Sequence, residues 1–96
     1  MFEGIMIKVN GEDMVLPPLN WRATKRFYKD IISGDINDPA KAIDLMPEML
    51  HAALVRNYPE LTQEALEDII APGELLSAIP LLLSVSGFSQ APKGGA

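Results

Sequence analysis

Ile5, Ile7 and Val9 recur at every second position, and after Asn10-Gly11 the apolar residues resume at Met14-Val15-Leu16. A period of two predicts strands, and Asn-Gly is the strongest two-residue turn signal because both positions tolerate positive φ. Residues 2–16 therefore read as a β-hairpin, ended by Pro17-Pro18, neither of which can donate to a ladder. A lone hairpin is marginal in water, so this one needs helices or a neighbouring sheet to cover its apolar face.

The period then lengthens. Trp21, Thr24, Phe27, Tyr28, Ile31 and Ile32 follow helical spacing, with Asn20 as N-cap and Gly34 closing the segment, which predicts a helix over 20–33. Asp38-Pro39 opens a second helical stretch over 39–57, stopped by Tyr58-Pro59. Pro47 lies inside it and predicts a break or kink at Met46. Thr62 caps a short acidic helix over 62–70, with Leu61 and Leu66 placed as a hydrophobic staple. A last segment over 74–86 is apolar around most of its circumference and ends at Gly87. The expected fold is mainly α with a short N-terminal β-hairpin, a small helical bundle in one domain over 1–88. Residues 89–96, rich in Gly, Ser and Pro, are expected to form a flexible tail.

Composition narrows the function. The 96 residues suffice for one modest core, and 48% hydrophobic with 22% charged residues is ordinary for a folded globular chain. A net charge of −5 disfavours phosphate backbones as partners. Cysteine is absent, which excludes disulfides and thiolate metal sites. Neither a signal peptide nor a membrane span is expected, because apolar runs such as Leu81-Leu82-Leu83 fall far short of the ~20 residues a span needs. The expected setting is a reducing cytoplasm.

Catalytic chemistry finds little to work with. His51 is the one histidine and stands beside alanines, and no serine sits in a nucleophile-elbow sequence. Glu12-Asp13 and Glu67-Asp68 are adjacent pairs that point apart on a strand or helix, and the Asp35–Asp38 loop lacks a full calcium ligand set. No enzyme activity, metal or cofactor is expected. Two features suit protein contact instead. Arg22, Lys25, Arg26 and Lys29 fall at i, i+3, i+4 and i+7 on one side of the first helix, either as a solvated face, a phosphate site, or a docking strip for the acidic helix carrying Glu64, Glu67 and Asp68. Leu75, Leu76, Ile79, Leu82 and Leu83 belong to a helix too apolar for full exposure, so they serve either as core or as an interface with a partner or a second copy.

The stretch Ala52-Ala53-Leu54-Val55-Arg56-Asn57-Tyr58-Pro59-Glu60-Leu61-Thr62 resembles the helix end and restart of phage tail assembly chaperones. Around it the order is also similar, with a short β segment, a Pro-Pro-Leu turn, an aromatic-containing helix, and an apolar helix ending near Ser86-Gly87. The resemblance spans about residues 2 to 88. It implies a non-enzymatic chaperone that binds and solubilises the tape measure protein, helps recruit tail tube subunits, self-associates, works in the host bacterial cytoplasm, and is absent from the mature virion. A structural tail or head–tail connector protein is the alternative. A small nucleic-acid-binding regulator using the basic strip comes after it, and its binding would weaken steeply with salt.

Overall fold

The computed structural model describes residues 1–88; the expectation for the tail falls on residues outside that range. The hairpin forms as the alternation predicts, with β1 (Ile5–Val9) paired antiparallel to β2 (Glu12–Leu16) in a register that sets Ile7 opposite Met14 and Val9 opposite Glu12. Asn10 and Gly11 both take positive φ, 55° and 79°, as a type I′ turn requires. The strands are shorter than the 2–16 span suggests, because Phe2 to Gly4 lie outside the ladder.

Four α-helices follow. Helix α1 (Trp21–Ile32) starts where Asn20 accepts a hydrogen bond from the Ala23 amide, and Gly34 leaves it in the left-handed region at φ 86°. A single 3-10 turn, Asp35–Asn37, absent from the sequence expectation, joins it to α2 (Pro39–Leu54). Asp38 caps α2 by accepting from the Ala40 amide, with Pro39 at the first helical position. Helix α3 (Gln63–Ile69) is capped by Thr62, and Leu61 and Leu66 both join the core as the staple requires. Helix α4 (Pro72–Val85) closes in a Schellman arrangement, where Phe88 donates to Leu83 and Gly87 to Ser84.

The expected break at Met46 and the expected end of α2 at Asn57 both fail. Helix α2 runs through Pro47 without a break. Proline forfeits one ladder bond and crowds the preceding turn, at a cost of about 3 kcal/mol. Here the Pro47 ring is itself buried, with Leu45 before it and Met49, Leu50, Ala53 and Leu54 after it also buried, and this burial offsets the lost bond so that the helix continues. Helix α2 also ends at Leu54, not Asn57. Its last turn tightens, with Arg56 donating to Ala53 and Asn57 to Leu54, and this turns Arg56, Asn57 and Tyr58 toward the hairpin.

One core serves the whole molecule. Ile7, Val9 and Leu16 from the hairpin meet Phe27 of α1, Met49, Leu50 and Leu54 of α2, Leu66 of α3 and Leu82 of α4. The result is a small helical globule in which α2 touches every other helix and α4 carries β1.

Candidate protein-binding surfaces

The segment behind the family resemblance is an architectural clamp. Arg56 donates through its guanidinium to the Pro18 carbonyl and lies 3.9 Å from the centre of the Phe2 ring. Asn57 accepts from the Phe2 amide at 2.6 Å and donates to the Phe2 carbonyl at 2.9 Å. The Tyr58 hydroxyl accepts from the Val15 amide at 2.8 Å. Since Val9 and Glu12 flank the turn as a bonded pair, Val15 points its backbone groups away from β1, so Tyr58 and Asn57 satisfy the outer edge of β2. These three residues join the end of α2 to the start of the chain and to the prolyl turn.

His51 is also accounted for. Its Nε2 lies 2.7 Å from the Leu61 carbonyl, which can only accept, so the ring nitrogen is the donor and fastens α2 to the approach to α3. Glu74, three residues into α4, accepts from the Ala71 amide and reaches across the fold to accept from Asn10 and Gly11 at the hairpin tip. The Ala71 amide first, then those of Gly11 and Asn10, hold its carboxyl below the ordinary carboxylate value. Both residues have structural partners.

Surfaces remain. Of the five apolar α4 residues suited to partner binding, Ile79, Leu82 and Leu83 are core, which corrects the interface reading for them. They face α2 and β1, and a charge at any of them would sit in the interior. Leu75 is half-buried, while Leu76 is 59% exposed. Opposite Leu76 stands Ile43 of α2, 73% exposed, and the two line an open groove of about 500 Å³ with Ile36, Ala42, Met46 and Leu75.

Both helices carry an interior proline. Pro47 has no N–H for the carbonyl of Ile43 four residues back, and Pro80 has none for the carbonyl of Leu76. Each helix thus lacks the ladder donor for the carbonyl of its most exposed large apolar residue. Sequence reasoning missed Ile43, and periodicity gave no signal for it: Leu50 and Leu54, seven and eleven residues on, share its side of the helix and are buried.

Helix α1 carries the second surface. Arg22, Lys25, Arg26 and Lys29 are all exposed, as a solvated face requires. Arg26 approaches Glu48 of α2 at 3.5 Å, and none of the four joins Glu64, Glu67 or Asp68 in an ion pair among the described residues. The apolar side of α1 is divided. Phe27 is buried and Ala23 and Ile31 pack on the core, but Trp21 is 74% exposed, Ile32 65% and Tyr28 52%.

Among the described residues no cluster of three His, Asp or Glu side chains is placed to hold a metal, and no helix is long and apolar enough to cross a membrane. No family model, curated protein or solved structure matches the chain.

Proposed function

We propose that this chain is a tail assembly chaperone of a tailed bacteriophage, which binds and solubilises the tape measure protein and helps recruit tail tube subunits. The proposal joins the order of motifs along the chain to one structural observation, the α2–α4 groove. Ile43 and Leu76 line it as the most exposed large aliphatic residues of α2 and α4, at 73% and 59%. An apolar ridge of a helical client covers such a groove. Binding of this kind shields apolar client surface from solvent without chemistry. It suits a helper that is displaced by tail tube subunits and left in the host cytoplasm, not retained in the particle.

Co-expression with the tape measure protein of the same genome tests the reading. A soluble complex of defined stoichiometry is expected, with the chain absent from purified particles. An insoluble client beside free, folded chain contradicts it, and recovery of the chain from intact virions favours a structural component.

A further inference from the structure

The exposed side of α1 is divided lengthwise. At 3.6 residues per turn, Trp21, Tyr28 and Ile32 fall into one ridge, and Lys25, Lys29 and Arg22 come round on its flank. The ion pairs among the described residues are Lys8–Asp13, Arg26–Glu48 and Lys41–Asp35, so these three cations have no acidic partner there. Helix α3 is the converse. It buries Leu66 and turns outward Glu64, Glu67 and Asp68, with Ala65 and Ile69 beside them as a short apolar margin. Those acids likewise take part in no ion pair among the described residues; Glu67 accepts only from Gln63 one turn back, at 2.9 Å.

We propose that α1 of one copy docks on α3 of a second copy, cations against acids and the Trp21–Tyr28–Ile32 ridge against Ala65 and Ile69. The whole chain carries a net charge of −5, so two copies repel over most approaches, and the basic flank of α1 is the exception. Exposed aromatics beside the cations supply what charge alone does not, since Trp and Tyr are the side chains that dominate interface energetics. The two faces belong to different helices of one molecule, so the contact is heterologous. Each added copy leaves one α1 and one α3 free, and association continues into a row or closes into a ring. This inference stands apart from the client groove and does not depend on the function proposed above.

Sedimentation of the full chain tests it, with fluorescence of Trp21, the one tryptophan, as a reporter inside the contact. At low ionic strength the expected result is concentration-dependent association with a blue shift of Trp21 emission, both weakened as salt approaches about 0.5 M. Lys25→Glu with Lys29→Glu, or Glu64→Lys with Glu67→Lys, should each weaken association at least about tenfold. Because one variant then presents two acidic faces and the other two basic ones, mixing them should restore association. A wild-type chain that stays monomeric at about 1 mM in low salt, association indifferent to either charge reversal, or a mixture that fails to assemble would overturn the proposal.

Discussion

Helices α1 and α4 exchange the roles that their sequences suggest. Helix α1 has the sharper division between apolar and charged sides, the pattern of a helix lying on a core, yet of its five large apolar residues only Phe27 is buried and Ile31 half-buried, while Trp21, Tyr28 and Ile32 are exposed. Helix α4 is apolar nearly all round and shows little division, yet it supplies Ala78, Ile79, Leu82 and Leu83 to the interior. Periodicity reports which residues share a face. It does not report how wide a face the neighbouring elements cover. Helix α4 lies between β1 and α2 and is covered on two sides, whereas α1 meets the globule along one narrow line through Phe27 and Ile31.

The largest test of this contrast pairs a truncation in each helix. Leu82→Ala removes a fully buried side chain and should cost about 2–5 kcal/mol of unfolding free energy. Trp21→Ala removes a larger side chain from an exposed site and should change stability by no more than about 0.5 kcal/mol. Denaturant titration of both under monomeric conditions decides; a Trp21→Ala loss comparable to that of Leu82→Ala would mean that α1 is covered as its periodicity implies.

Prolines inside helices sharpen the comparison in the other direction. Pro80 is exposed, so Pro80→Ala restores a donor for the Leu76 carbonyl without opening a cavity, and thermal unfolding should show a gain of up to about 3 kcal/mol. Pro47→Ala should gain less, because the buried ring is lost with the strain. Equal gains would argue that burial of the Pro47 ring does not stabilise α2.

A smaller effect is expected at the clamp. Tyr58→Phe leaves the Val15 amide without its acceptor and should lower stability by about 1 kcal/mol, with faster exchange of that amide as the local readout. Unchanged exchange would show that another group closes the edge of β2.

The smallest concerns pH. The folded state lowers the pKa of Glu74, so its contribution is fully present above the ordinary value of 4.5 and disappears as pH falls through the lowered folded value. The difference in melting temperature between the wild type and Glu74→Gln should therefore be greatest near neutrality and close below pH 4.5. A difference that persists undiminished in acid would mean that the carboxylate's charge plays no part at the hairpin tip.

Much of the fold was legible because its boundaries are set by local chemistry. Asn10-Gly11, Asn20, Asp38-Pro39, Thr62 and Gly87 each act within a few residues, and all five do what their side chains or φ preferences dictate. The continuity of α2 was not legible, since Pro47 is disfavoured locally and retained by tertiary burial. Nor was the reach of Glu74 to residues 63 and 64 positions away, because nothing in the sequence marks a pairing at that separation. The candidate surface was half legible. Leu76 and the basic strip on α1 are exposed where expected, but Ile79, Leu82 and Leu83 are indistinguishable from Leu76 by composition and only packing separates them. The exposure of Trp21, Tyr28 and Ile32 runs against hydropathy and emerges only once the narrow seat of α1 is known.

The claim that the uncovered groove carries the function is tested most directly by Ile43→Asp with Leu76→Asp in the full chain, measured as the amount of tape measure protein that co-purifies in soluble form. Both residues are largely exposed, so the double variant should keep the wild-type circular dichroism and unfolding midpoint while client recovery falls at least about tenfold. Undiminished recovery by a folded double variant would contradict the account and place client binding elsewhere on the molecule.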